Sequence, residues 1–66
     1  SFTEVTREVS VMAREFGELL ATIARALEDN GQIDPPEVPA LNERCLEMIK
    51  AVARLAEAGR REAGRR

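Results

Sequence analysis

Two regular rows of apolar residues constrain the fold of this chain more than any other feature. Within each row the intervals alternate between three and four positions, a heptad pattern typical of helices that pack side by side. The first row comprises Phe2, Val5, Val9, Met12, Phe16, Leu19, Ile23 and Ala26, and the second comprises Val38, Leu41, Cys45, Met48, Val52 and Leu55. The pattern predicts an all-α chain built from two amphipathic helices.

The stretch EDNGQIDPPE between the two rows carries residues typical of a turn. Gly31 follows the first row, where the end of a helix favours a residue in the left-handed conformation. Asp34 can cap the second helix, Pro35 suits a first helical position, and Glu37 can return a bond to the capping residue. Pro39 lacks a backbone donor, so we expect an irregular first turn or a later start of the second helix.

These features predict an antiparallel helical hairpin over residues 1–59. The first helix is expected over about 2–28, the turn over 29–34 and the second helix over about 35–58. A basic C-terminal tail, 60–66, is predicted to follow the hairpin.

The turn also resembles the second half of a calcium-binding EF-hand loop. With Gly31 at the invariant glycine of that loop, Asn30, Asp34 and Glu37 fall on ligand positions. The first ligand position falls on Ala26, whose side chain has no oxygen to offer. We therefore interpret the segment as a turn and expect no metal and no other cofactor.

Both helices carry more apolar surface than a two-helix hairpin can bury, and uncovered patches of this kind mark interfaces. A chain this short also buries only about 60% of its unfolded surface. We therefore predict a homo-oligomer, a dimer or tetramer, in which hairpins associate into a four-helix or larger bundle. The predicted interface and core residues are Phe2, Val5, Val9, Met12, Phe16, Leu19, Leu20, Ile23, Leu27, Val38, Leu41, Cys45, Met48, Ile49, Val52 and Leu55.

A strip of small residues runs beside the first row, and we predict that another helix approaches closely there. The strip consists of Ala13, Gly17 and Ala21. For Gly17, a glycine tolerated on a solvated face is an equal alternative. Cys45 is the single cysteine and is interpreted as a small buried apolar residue, with a thiol pair across a dimer as the alternative.

Residues for catalysis are not found in the sequence. The chain has no His, no nucleophile motif and no Gly-rich phosphate loop. Its carboxylates alternate with arginines along the helices, as expected of a solvated face. We therefore predict that the protein is not an enzyme and has no small-molecule substrate.

The apolar runs are shorter than the roughly 20 residues of a membrane span, so no membrane partner is expected and a cytoplasmic location is predicted. The net charge of −2 conceals a basic C-terminus. Nucleic-acid contacts through Arg60, Arg61, Arg65 and Arg66 are one interpretation of that end, and a solvated terminus is the other.

The stretch from Arg14 to Leu55 resembles the C-terminal part of the phage CII-type regulatory proteins. The matching residues are Phe16-Gly17-Glu18, Ala26-Leu27, Gly31, Ile33, Pro36 and Glu37. The resemblance implies a phage or prophage transcription regulator whose DNA-reading helix-turn-helix precedes Ser1. It also implies that the present segment supplies oligomerisation.

Taken together, the patterns and the resemblance predict an oligomerisation module of a DNA-binding regulator. Its partners would be further copies of itself and, through a domain upstream of Ser1, DNA. The alternative is a free-standing helical adaptor or inhibitor that binds another protein through its apolar groove. The start of the chain at a serine rather than a methionine favours the first interpretation.

Overall fold

The computed structural model describes residues 2–65, apart from the side chain of Phe2. Helix α1 spans Phe2–Leu27 and helix α2 spans Val38–Gly64, with a short 3-10 helix at Pro35–Glu37 directly before α2. The two long helices pack antiparallel along their length, and the hairpin measures 52 by 15 by 11 Å between its Cα atoms. The predicted all-α hairpin is confirmed.

The turn after α1 depends on the backbone freedom of Gly31. This residue has a φ of +73°, a conformation that side-chain-bearing residues rarely adopt. Its N–H donates to the carbonyl of Leu27 at 3.0 Å, which closes the last turn of the helix. The N–H of Gln32 then donates to the side-chain oxygen of Asn30 at 3.0 Å. The helix ends at Leu27, one residue before the end predicted at about residue 28.

Helix α2 begins at Val38, three residues after the start predicted near Pro35. Pro39 has no N–H to donate to the carbonyl of Pro35, so a regular α-helix cannot begin there. The chain forms the 3-10 turn instead, in which the N–H of Val38 donates to the carbonyl of Pro35. Glu37 holds this turn, since its carboxylate accepts the N–H of Asp34 at 2.7 Å.

The C-terminal end of α2 differs from the prediction. The helix was expected to end near residue 58, but it continues through Gly59 to Gly64. A glycine inside a helix costs about 1 kcal/mol relative to alanine. Contacts on both sides of Gly59 offset that cost, because Ala58 is fully buried against α1 and Arg61 reaches Glu4. Most of the predicted tail is therefore helical.

Candidate functional site

The two helices meet along a line of mainly small and polar residues, here called the seam. Ala51 and Ala58 of α2 have no exposed surface, and Ala26 of α1 is 6% exposed. Small side chains allow two helix backbones to approach closely. The seam comprises Glu8, Glu15, Leu19 and Ala26 on α1 and Arg44, Met48, Ala51, Leu55 and Ala58 on α2.

The residue that follows each seam residue on α1 is a large, exposed apolar one. On α2 the residues that follow the seam residues are Cys45, Ile49, Val52, Ala56 and, after Ala58, Gly59. One step along a helix is a rotation of about 100°, and in an antiparallel pair that rotation turns both helices towards the same side. The resulting apolar face comprises Val9, Phe16, Leu20 and Leu27 of α1 and Cys45, Ile49, Val52 and Ala56 of α2.

The opposite side of the hairpin is charged. Each residue that precedes a seam residue carries a charge. This charged face comprises Arg7, Arg14, Glu18 and Arg25 of α1 and Glu43, Glu47, Lys50, Arg54 and Glu57 of α2. The hairpin therefore separates its apolar and charged surfaces on the two sides of the plane that contains both helix axes.

Arg44 joins the helices across the seam. Its Nη1 lies 3.1 Å from Oε2 of Glu18 and 3.6 Å from Oε1 of Glu15 on α1. The Glu15 side chain is only 13% exposed, so this carboxylate is held largely out of water beside the guanidinium. The alternation of carboxylates and arginines predicts a solvated face, but the Arg44 side chain is only 25% exposed. The pair with Glu43 exists at 3.6 Å, but the contacts to α1 are the ones that fix the pairing of the helices.

A second cross-helix pair joins the two ends of the described chain. Nε and Nη2 of Arg61 lie 3.2 and 3.1 Å from the two carboxylate oxygens of Glu4. This bidentate hydrogen bond lowers the pKa of Glu4 and raises the pKa of Arg61. Arg61 also lies 3.5 Å from Glu57, which pairs with Arg60 as well.

These pairs bear on the interpretation of the basic C-terminus as a nucleic-acid contact. Arg60 and Arg61 are both engaged by carboxylates, whereas Arg66 lies outside the described residues. Arg65 is exposed at the end of α2. The four arginines therefore do not form a free cationic cluster over the described part of the chain.

The Glu4–Arg61 pair predicts an acid-sensitive contribution to stability. A carboxyl group whose pKa is lowered on folding stabilises the fold above its ordinary pKa, which is 4.5 for glutamate, and this contribution is lost as the pH falls through the lowered value. We expect Glu4→Gln to unfold more easily than the unmodified chain at pH 7 and equally easily in strong acid. Urea unfolding followed by circular dichroism over a pH series measures the difference.

Glu28→Gln is the matched control, because Glu28 is exposed at the end of α1, away from Arg61. It should show no comparable pH-dependent difference from the unmodified chain. A Glu4→Gln deficit that persists unchanged into strong acid would show that the ion pair is not its cause.

Some of the predicted interface residues lie in the seam and others on the apolar face, whereas five lie in neither. Of these five, Val5, Met12, Ile23 and Leu41 are half-buried, and Val38 is exposed at the start of α2. Leu19, Met48 and Leu55 lie along the seam, whereas Phe16 and Ile49 are 49% and 62% exposed. The predicted position of Phe2 in the interface concerns a side chain outside the described part. Cys45 has a free thiol and is half-buried at the edge between seam and apolar face.

Sequence reasoning missed the two most buried residues, Ala51 and Ala58. Their separation of seven positions, with Leu55 between them, was the pattern that could have identified them. The residues of the predicted close-packing strip, Ala13, Gly17 and Ala21, are exposed, and Ala21 lines a hollow between α1 and the start of α2. A Cβ added to Gly17 would meet nothing within 4 Å, so the hairpin itself does not require glycine there.

The side chains at the EF-hand-like positions form hydrogen bonds within the turn. Asp34 accepts a hydrogen bond from the side chain of Asn30 at 3.3 Å, and Glu37 bonds the backbone of Asp34. Ala26 is buried in the seam. Among residues 2–65, no three acidic or thiol side chains gather in a way that could hold a metal ion.

One hollow of about 570 Å³ lies near the turn on the charged side of the hairpin. Glu18, Arg25, Glu37 and Arg44 line it, and several of these are engaged with one another or with the backbone. Neither helix of the described chain contains a stretch long and apolar enough to cross a membrane. The apolar face holds most of the large exposed apolar side chains of residues 2–65.

The fold and this surface define the class of structure: an amphipathic helical hairpin whose apolar side chains lie on one side. Comparison with protein-family models, with curated proteins and with solved structures finds no significant match to the chain. A functional conclusion therefore depends on the geometry of the hairpin itself.

Proposed function

We propose that the hairpin is a self-association module whose apolar face packs against the apolar face of a second copy, without catalysis. The observation that carries this proposal is the placement of the apolar residues of both helices on the same side of the hairpin. Phe16 and Leu20 of α1, together with Ile49 and Val52 of α2, remain between 45% and 62% exposed there. A single copy leaves these side chains in water, whereas a second copy presenting the same face would bury them.

One side of the hairpin is large enough for a dimer interface. The two larger dimensions of the hairpin are 52 and 15 Å, so a whole side projects about 800 Å², and the apolar face is part of that side. Specific protein–protein interfaces bury about 800 Å² on each partner. Two hairpins packed face to face would form a four-helix bundle, with the apolar residues inside and the charged faces outside.

The resemblance to the phage CII-type regulators supports a wider role for this module. In that role it would join copies of a DNA-binding transcription regulator in the cytoplasm of a phage-infected or lysogenic cell. DNA would be read by a domain that precedes Ser1, and association would set the distance between two such domains. Proteins that bind two-fold symmetric DNA operators need two DNA-binding domains at a fixed distance, because the two half-sites are separated by whole turns of the DNA helix.

Sedimentation equilibrium of the full 66-residue chain tests self-association directly. Over loading concentrations from about 1 to 100 µM, the expected molar mass rises to twice or four times that of the 7.3 kDa chain. A chain that stays monomeric over this range would contradict the proposal. A monomer that gains helical signal or stability from an amphipathic helical peptide would instead support the adaptor alternative.

A further inference from the structure

We propose that Arg44 is a positioning residue for the proposed interface. Its ion pair with Glu15 keeps α1 and α2 rotated about their own axes in the way that turns the apolar face outward. The inference rests on the proposed self-association and adds to it the residue that keeps the face available to a second copy. Arg44 acts from the seam between the two helices rather than from the apolar face itself.

The seam runs along one edge of each heptad row rather than along its centre. Phe16 and Val52 belong to the rows but remain 49% and 45% exposed, whereas Ala51 and Ala58 lie outside the rows and have no exposed surface. At 100° per residue, the seam residues of each helix lie about 60° from the centre of its row. The pairing of the helices is therefore offset from their apolar rows, and this offset leaves the apolar face uncovered.

A rotation of both helices by about 60° about their own axes would remove the offset. The two rows would then face each other inside the hairpin, and Val9, Phe16 and Val52 would lose much of their exposed surface. Burial of apolar side chains is favourable, so in a single hairpin apolar burial favours this rotation. The rotated hairpin would offer less apolar surface to a second copy.

The offset pairing holds the carboxylate of Glu15 largely out of water. Its side chain is 13% exposed, and its Oε1 atom is buried and accepts no hydrogen bond from residues 2–65. Nη1 of Arg44 lies 3.6 Å from that atom, across the seam. The other oxygen, Oε2, lies 3.5 Å from Nη2 of Arg14, a neighbour on α1 whose side chain is 66% exposed. Arg44 therefore supplies the positive charge that compensates the buried oxygen from the opposite helix.

Removal of Arg44 would leave this carboxylate buried without its partner from α2. An uncompensated buried charge destabilises a structure by more than its ion pair stabilises it, so the offset pairing would become less stable. The rotation that brings the rows together also carries Glu15 towards the charged face, where water solvates it. Loss of Arg44 would therefore favour the rotated hairpin, in which the two apolar rows cover each other.

Sedimentation equilibrium of full-length variants tests this role. Arg44→Met should weaken self-association about tenfold or more, while circular dichroism shows that the helices are retained. Adding Glu15→Met to this variant should restore most of the association, because no carboxylate then remains to be buried in the seam.

Lys50→Met is the matched control for Arg44→Met. It removes one positive charge from the same helix, but Lys50 lies on the charged face and pairs with Glu47 of α2 itself at 3.2 Å. This variant should therefore associate like the unmodified chain. Equal weakening in Lys50→Met and Arg44→Met would indicate a general effect of lost positive charge and would contradict the positioning role.

The rate of thiol alkylation separates rotation of the helices from unfolding. The measurement uses a full-length chain carrying Cys45→Ala and Val52→Cys, at a concentration where the chain is monomeric. Adding Arg44→Met should slow alkylation of the introduced thiol, because the rotated hairpin covers position 52, where the native side chain is 45% exposed. Faster alkylation would show that Arg44 acts only on the stability of the fold and would contradict the proposal.

The sedimentation results also distinguish this proposal from self-association itself. An Arg44→Met variant that associates as tightly as the unmodified chain would overturn the role of Arg44 and leave self-association intact. A double variant as weakly associated as Arg44→Met would exclude the buried Glu15 carboxylate as the cause. An unmodified chain that is monomeric would overturn both proposals.

Discussion

Replacing Ala51 with leucine is expected to lower the free energy of unfolding of the hairpin by about 1–3 kcal/mol. Ala51 has no exposed surface and lies in the seam between α2 and α1. Three additional carbon atoms cannot fit without moving the helices apart. Such a movement would also lengthen the contacts of Arg44 with Glu15 and Glu18, which lie 3.6 and 3.1 Å from it. Urea unfolding followed by circular dichroism, at a fixed protein concentration, measures the loss.

Ala53→Leu is the matched control for this substitution. It introduces the same side chain two residues away, at a position that is exposed and points away from α1. Its free energy of unfolding should change by no more than about 0.5 kcal/mol, because the helix propensity of leucine is only slightly below that of alanine and substitutions on an open surface usually have small effects. Equal losses in the two variants would indicate that the seam is not closely packed. Both measurements need the same chain concentration, since self-association contributes to apparent stability.

The local structure of the hairpin could be predicted because local chemistry determines it. The spacing of apolar residues from Val5 to Ala26 predicted the first helix, and the positive φ of Gly31 follows from its position after Leu27. The bond from Glu37 back to the N–H of Asp34 was likewise predictable from their separation. These contacts involve residues only a few positions apart.

The position of the seam could not be predicted in the same way. A heptad row indicates which side of a helix is apolar, but it does not say which part of that side a neighbouring helix covers. In the hairpin, the neighbouring helix covers the edge that contains Ala26 and leaves Phe16 49% exposed. The choice depends on contacts between residues far apart in sequence, such as Arg44 with Glu18. Two fully buried alanines, Ala51 and Ala58, also contribute, because their small side chains allow α2 to lie close to α1 along this edge.

The later end of α2 has a similar origin. Gly59 weakens the helix locally, and from local propensity alone an end near residue 58 is the better prediction. The bidentate contact of Arg61 with Glu4, which lies 57 positions away in the sequence, stabilises the continuation of α2 past Gly59. Sequence patterns of short range therefore predicted the elements, whereas pairs across the hairpin determine which surfaces remain available to a partner.

Replacing Ile49 with glutamate is expected to weaken self-association about a hundredfold or more. Ile49 is 62% exposed in a single hairpin, so the substitution should leave the helices intact. In the proposed bundle the new carboxylate would be placed among apolar side chains without a partner of opposite charge. A two-fold interface contains the substitution twice, which doubles its cost. Sedimentation equilibrium should therefore show a shift towards monomer at concentrations where the unmodified chain is associated.

Arg54→Glu provides the comparison that makes this result specific. It introduces the same side chain on the same helix, but about 140° further round α2, on the charged face. Because that face points outward in the proposed bundle, this variant should sediment like the unmodified chain. Similar dissociation of both variants would indicate a general effect of added negative charge, and an Ile49→Glu variant that stays associated would exclude the apolar face as the interface. Loss confined to Ile49→Glu would identify the side of the hairpin on which the second copy sits.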